Sequence, residues 1–336
     1  MNTLYLVIPC YNEESVLPET ARQLYAKMTT LIQGGQISPL SRVVFVDDGS
    51  KDETWALISR FHREAPLFSG ISLSRNRGQQ NALLAGLLTV KDAADMTISM
   101  GADLQDDLDV IDQMVEKCRA GKDIVYGVVT AQGGVDTGTK RFAADLYPNL
   151  ARRLGGEVVQ NHSDFRLLSR RALDALSQYQ ESALFLRGIV PMLGFSSDFV
   201  YYKRAPRQKG ESKHPPRKII AQAIDGITSL SLRPLRLITA LGLLLLLIAF
   251  ITGIVYLIQS FLDLPFWTFW GHRSLTLIIL IVGGLQLVGL GIVGEYAGKT
   301  YIESKRRPRF FIDKILHTPL NTKEPSPPIA QPPHHT

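Results

Sequence analysis

Ser99–Asp107 reads SMGADLQDD: an apolar run, Met96–Ile98, leads into three carboxylates within five residues. Asp103 and Gln105, two residues apart at a strand end, offer the oxygen ligands that Mg2+ or Mn2+ prefers. Mg2+ commonly takes one or two carboxylates and completes its shell with substrate phosphates, so one acid can suffice. Asp106 and Asp107 read instead as caps of the next helix, favoured by its dipole. Gly101 stands where a second acid would make an Asp-x-Asp pair. A second acidic pair, Asp47-Asp48, follows the run Val43–Val46. A carboxylate there can accept from a uracil N–H or a ribose hydroxyl. Neither a G-x-G-x-x-G nor a G-x-x-x-x-G-K-[ST] fingerprint is present, so a diphosphate would need a metal ion and basic side chains.

These clusters need elements to hold them. Leu4–Ile8, Arg42–Val46, Gly70–Leu73, Met96–Met100 and Asp123–Tyr126 read as strands. Ser15–Ile32, Lys51–Arg63, Gln79–Val90 and Leu108–Ala120 read as helices between them. Such alternation predicts an α/β fold with a mostly parallel sheet. Ligands of such sheets bind at the carboxyl ends of the strands. Four polar clusters fall there: Pro9–Glu13, Asp47–Ser50, Ser74–Asn76 and Ala102-Asp103. Phe199–Tyr202 could be a last strand, and Asp164 reads either as a catalytic carboxylate or as the cap of a helix over 167–176.

The chain of 336 residues is 45% hydrophobic with net charge +6. Residues 237–261 and 274–294 hold no charged residue, and each run can span a hydrocarbon core of about 30 Å as an α-helix. Lys and Arg crowd outside both runs, whereas 262–273 carries only Arg273 and Asp263. The positive-inside rule then places both termini in the cytoplasm. Residues 215–236 read as amphipathic juxtamembrane helices, 295–318 as a cytoplasmic basic segment and 319–336 as a disordered tail. The basic residues track the membrane ends, which argues for a lipid bilayer and against nucleic acid. The N-terminus lacks a basic n-region and does not read as a signal peptide. Cys10 and Cys118 read as reduced and structural.

Together, VIPCYNEE (7–14), VDDGSKDET (46–54), LSRNRGQQNALLAGL (73–87), ADLQDD (102–107), SDFRLLSRRAL (163–173), RQKGESKHP (207–215) and GEYAGKTYIESKRRPRF (294–310) resemble glycosyltransferase family 2. The order of motifs and the two C-terminal spans are similar to its bacterial polyprenyl-phosphate branch and to dolichol-phosphate mannosyltransferases. The resemblance implies a GT-A catalytic domain over 1–214 and inverting transfer of a hexose or N-acetylhexosamine from a nucleotide sugar to undecaprenyl phosphate or another polyprenyl phosphate. It implies a UDP-linked donor and a bacterial inner-membrane enzyme with a cytoplasmic catalytic domain. The product would be a lipid-linked sugar for cell-envelope glycosylation. Pro9, Tyr11, Glu13, Asp47, Asp48 and Arg75 would hold the nucleotide sugar. Asp103 and Gln105 would bind Mg2+ or Mn2+. Asp103 and Asp164 would be catalytic, and Lys140, Arg166, Arg207 and Lys213 would meet phosphate. Small residues in the second run, Gly283 to Gly294, allow close helix packing, and the family suggests a homo-oligomer such as a tetramer. Relatives usually read D-A-D-L-Q where this chain has G-A-D-L-Q, and many carry Arg at the position of Val129. A second reading is therefore a catalytically weakened homologue that binds nucleotide sugar or partners.

Overall fold

The computed structural model describes residues 1–130, 162–181, 186–204 and 272–316, with scattered helical positions between 235 and 254. Among the described residues seven strands precede residue 205: β1 (Leu4–Cys10), β2 (Arg42–Asp47), β3 (Phe68–Leu73), β4 (Met96–Ser99), β5 (Ile124–Val129), β6 (His162–Ser169) and β7 (Ser197–Tyr202). Helices α1 (Leu17–Gln33), α2 (Thr54–Glu64), α3 (Gln79–Val90) and α4 (Val110–Arg119) alternate with the first five, as the hydrophobic pattern predicts. Two short helices follow, α5 (Arg170–Ser177) and α6 (Leu186–Met192), then the long α7 (His272–Ser304) and an eighth strand, β8 (Ile312–Leu316).

The strands form one mixed sheet in the order β7-β5-β6-β4-β1-β2-β3-β8. β3, β2, β1 and β4 run parallel, so their carboxyl ends share one edge. β6 lies antiparallel between β4 and β5, with Ser99 opposite Arg166. That reversal brings the N-terminal end of β6 to the edge where the parallel strands finish. The central strands are apolar almost throughout because both faces are covered. On one face α1, α2 and α4 pack Leu17, Leu24, Ile58, Phe61 and Met114 against the sheet. On the other, α3, α5 and α6 supply Leu83, Leu87, Leu173 and Ile189.

Three expectations are corrected. Residues 167–169, expected to open a helix, instead finish strand β6: Arg166 and Leu168 pair with β4 and β5, and α5 begins after Ser169, whose hydroxyl accepts the Ala172 amide at 3.2 Å. Asp164 is thus no helix cap. The last strand is not β7. Within the expected basic segment 295–318, β8 adds antiparallel to β3, pairing Gly70 with Leu316 and Ser72 with Lys314. Asp106 does not cap α4; it is buried beside β7, as described below.

Among the described residues no helix is long and apolar enough to cross a membrane. The first expected span, 237–261, is described only at scattered helical positions, and the second falls within α7, where the side chains at 272–277, 280 and 281 lie outside the description. The amphipathic stretch 215–236, the tail 319–336 and the site residues Lys140, Arg207 and Lys213 also lie outside the described residues, apart from position 235.

Candidate active site

The turns after β1 and β2 are hydrogen-bonded to one another residue by residue. Ser50 Oγ accepts the Asn12 amide, Asn12 Oδ1 accepts the Lys51 amide, and Thr54 Oγ1 accepts the Glu13 amide, each at 2.9 Å. Asn12 and Gly49 adopt positive φ, 52° and 66°. At Gly49 any side chain would collide, because a Cβ would lie 2.6 Å from the Arg75 carbonyl carbon. The D-D-G-S turn is therefore pressed against the turn after β3. Asp48 fastens the two: Oδ1 accepts the Arg77 amide at 2.7 Å and Oδ2 the Gly78 amide at 2.8 Å. Burial raises its pKa against the pull of those two donors. Asp47 is 2% exposed, accepting from the Ser50 amide and the Ser72 hydroxyl. Pro9, Tyr11 and Glu13 are half-buried at the same edge, and Arg75 is exposed. The Cys10 thiol is pushed well up, first by burial and then by Glu13, Asp47 and Asp52, and is an inert core group.

The acidic loop after β4 lies beside this edge. Asp103 and Gln105 are half-buried, and Asp103 Oδ1 stands 3.4 Å from the Gln105 amide. A Cβ on Gly101 would meet Asp103 Oδ1 at 3.1 Å. The Asp103 carboxylate thus leans over the space that an acid at 101 would use. Asp106 accepts from Tyr202 Oη at 2.5 Å, and burial raises its pKa against the pull of that hydroxyl, of Arg204 and of the nearby Gly101 backbone. Among the described residues no three His, Cys, Asp or Glu side chains gather to hold a metal. A cation at Asp103 and Gln105 would need its remaining ligands from a diphosphate and water, which suits a hard ion and an oxygen donor set.

Asp164 reaches the same edge from β6. Ser99 Oγ donates to its backbone carbonyl at 2.5 Å, tying β6 to the end of β4. Its carboxylate is gripped by Arg187, with Nε to Oδ1 at 3.0 Å and Nη2 to Oδ2 at 3.1 Å, and by Arg166 Nη2 to Oδ1 at 2.8 Å. Gln79 and Gln80, in the first turn of α3, point their amide nitrogens at it from 3.3–3.4 Å. Burial alone would raise the pKa, but Arg187 and Arg166 outweigh it and hold the group at about 2. Such a carboxylate is a fixed anion and a poor proton acceptor near neutrality.

Asp47, Asp48, Asp103, Gln105 and Asp164, expected from sequence, thus meet along one sheet edge. Two of the expected residues, Asp48 and Arg166, have structural partners that sequence reading missed. Asp48 spends both oxygens on the backbone of the β3 turn. Arg166, expected to meet phosphate, is 2% exposed and divided between Asp164 and the Leu186 carbonyl. Arg187, in α6, was not anticipated; its side chain is 43% exposed, so it is the member of the trio that faces solvent. Only the reversal at β6 brings it near, and no spacing in the sequence signals that.

The family model described as Glycosyl transferase family 2 matches residues 5–177. An uncharacterized glycosyltransferase of Bacillus subtilis, YkoT, is 44% identical over 96% of this chain and 95% of its own length. The prophage bactoprenol glucosyl transferase homolog of Escherichia coli is 35% identical over 92% of this chain and 98% of its own. The bactoprenol glucosyl transferase of Shigella phage SfV is 36% identical over 91% and 97%.

Proposed function

The chain belongs to glycosyltransferase family 2 and is a glycosyltransferase, and from that premise we propose that it transfers a hexose or N-acetylhexosamine, with inversion, from a UDP-sugar to undecaprenyl phosphate or a related polyprenyl phosphate. The observation that carries this reading is the ionised Asp164 between Arg166 and Arg187, on the edge that also holds Asp103. A hydroxyl acceptor needs a base. A phosphate monoester, with a second pKa near 6, arrives already largely anionic at neutral pH. The site supplies no strong base at Asp164 and places a half-exposed guanidinium beside it, the geometry that suits a phosphate.

Asp47 receives the base and ribose of the donor, with Pro9, Tyr11, Glu13 and Arg75 around it. Asp103 and Gln105 hold Mg2+ or Mn2+; when bound, the cation neutralises the donor diphosphate. Arg187 orients the acceptor phosphate. One of its oxygens attacks the sugar's anomeric carbon from the face opposite the diphosphate. The bond from that carbon to the diphosphate oxygen breaks, and the electron pair leaves with it. Asp164 keeps Arg187 in place and adds negative charge near the carbon as positive charge develops there. Proximity and charge placement supply most of the rate. Lys140, Arg207 and Lys213 add positive charge for phosphate.

The acceptor's lipid tail requires a bilayer beside this edge. The charge-free stretches 237–261 and 274–294 form a membrane hairpin, with 215–236 on the surface. The return of the chain to the catalytic sheet as β8 supports this reading, because both ends of a two-span hairpin emerge on one side. The basic flanks place that side in the cytoplasm of a bacterial cell. Packing of the glycine-bearing second span into a homo-oligomer completes the proposal.

A donor panel tests it. The full chain in detergent, with Mg2+ or Mn2+ and undecaprenyl phosphate, should move label from one UDP-sugar into an organic-soluble product. Transfer to diacylglycerol with none to undecaprenyl phosphate would overturn the acceptor. Gly101 favours a second reading, a weakened homologue, which predicts UDP-sugar binding without turnover.

A further inference from the structure

Leu104, between the two expected metal ligands, has φ 54°, a left-handed conformation that side chains rarely adopt. Holding a residue there costs of the order of 1–3 kcal/mol and lasts only where the surroundings over-determine it. Three contacts do so here. Thr20 Oγ1, buried in α1, donates to the Ala102 carbonyl at 2.6 Å. The Gly101 backbone stands near the Asp106 carboxylate and draws its pKa down. Asp106, 7% exposed, accepts the Tyr202 hydroxyl at 2.5 Å. Tyr202 also reaches the other half of the site: its ring meets that of Phe165, the neighbour of Asp164, edge-on with centroids 5.5 Å apart. It ends β7, where its carbonyl accepts the Thr130 amide at 2.8 Å.

A buried carboxylate costs stability unless its acceptors are satisfied. Asp106 is satisfied by a side-chain donor from β7, three positions from β4 in the sheet, with the Gly101 backbone close by. We propose that Asp106 and Tyr202 are positioning residues: they hold residues 101–105, with glycine at 101, so that Asp103 and Gln105 face the donor diphosphate and its cation. The inference rests on the proposed function, in which that loop is the cation site. It assigns the ordering of a one-acid loop to a group outside the ligand set. Asp106, next in sequence to Gln105, has its side chain buried against Tyr202 of β7.

The test measures Mn2+ binding directly, by the loss of the free-ion electron paramagnetic resonance signal in the presence of saturating UDP, on the full chain in detergent. Substitutions behind a metal ligand weaken binding by about 10–100-fold. Asp106→Ala is expected to raise the Mn2+ dissociation constant at least about tenfold, at the lower end of that range. Tyr202→Phe, which keeps the ring on Phe165, should raise it less, and Asp106→Asn, which keeps an acceptor for the Tyr202 hydroxyl, should recover most of the loss. The acceptor KM should not change. A thermal midpoint that falls while Mn2+ affinity stays at the wild-type value would mark the pair as merely structural and overturn the inference. Wild-type protein that binds Mn2+ with UDP separates that outcome from failure of the proposed function; wild-type protein that binds neither overturns both.

Discussion

The two halves of the sheet edge are built differently. At the ends of β1, β2 and β3 the carboxylates are structural as much as functional: Asp48 is consumed by two backbone amides, and Asp47 accepts from Ser50 and Ser72. Turn holds turn, and Gly49 allows the close approach. At the ends of β4 and β6 the chemistry is held by side chains. Asp164 is gripped by two arginines, and the loop carrying Asp103 is tied through Asp106 to Tyr202. The electrostatics follow suit. Burial raises Asp48, whereas arginine neighbours pull Asp164 down to about 2. A half that only has to recognise a donor can be rigid through its backbone. A half where charge moves needs ionised groups, and those need partners.

The largest break in this contrast is Asp164→Asn. Removing the charge leaves the fully buried Arg166 and its neighbour Arg187 uncompensated. Unpairing a buried ion in this way costs about 3–5 kcal/mol of stability. Loss of one preorganised charge at the reacting centre lowers transfer by roughly 10²–10³-fold. Single-turnover assays with matched binding of UDP-sugar should show the loss in kcat. The pH dependence has a definite sign. A folded pKa of about 2 lies below the ordinary value of ~3.9, so this carboxylate's contribution of about 2–3 kcal/mol is present above pH ~4. It is lost as pH falls towards 2. Acid unfolding of wild type and Asp164→Asn should therefore converge at the low end of that window.

Asp48→Ala probes the rigid half and should act differently. It orphans the Arg77 and Gly78 amides and frees the turn after β3. These donors are only partly buried, so unpairing them costs towards the low end of about 1–3 kcal/mol. The expectation is a donor KM raised by roughly tenfold, equivalent to about 1.4 kcal/mol, with kcat held within a few-fold. Steady-state kinetics in UDP-sugar measure both. A fall in kcat to match Asp164→Asn would erase the distinction between the halves.

The rigid half was legible in the sequence because its logic is local. Apolar runs ending in P-C-Y-N-E and D-D-G-S state both the strand and the turn, and parallel strands deliver their carboxyl ends to one edge. The other half depends on contacts across the sheet. Ser163-Asp164-Phe165-Arg166 carries no strong strand alternation, and its antiparallel insertion between β4 and β5 follows from pairing, not propensity. Arg187 and Tyr202 reach the site only through that pairing. β8 was hidden for a related reason: Arg306, Arg307 and Arg309 dominate its approach and read as a membrane flank, although Phe311 accepts the Ser74 amide at 3.0 Å and closes the sheet beside the β3 turn.

Gly101→Asp is the smallest expected effect and the finest test of the contrast. In the side-chain-held half, a missing acid can be replaced by loop geometry. The Asp103 carboxylate already leans over position 101, where a new Cβ would lie 3.1 Å from Oδ1, so the added acid must displace it. Two carboxylates so close repel until a cation arrives, and with UDP and Mn2+ bound they share it. The substitution should therefore lower the unliganded melting point slightly and tighten Mn2+ modestly. Transfer should change by less than about threefold, because a hard cation can be held by one acid with diphosphate oxygens. A rise of two orders of magnitude in rate would show instead that glycine had disabled the site, and that the ordered loop around Leu104 does not compensate for the absent acid.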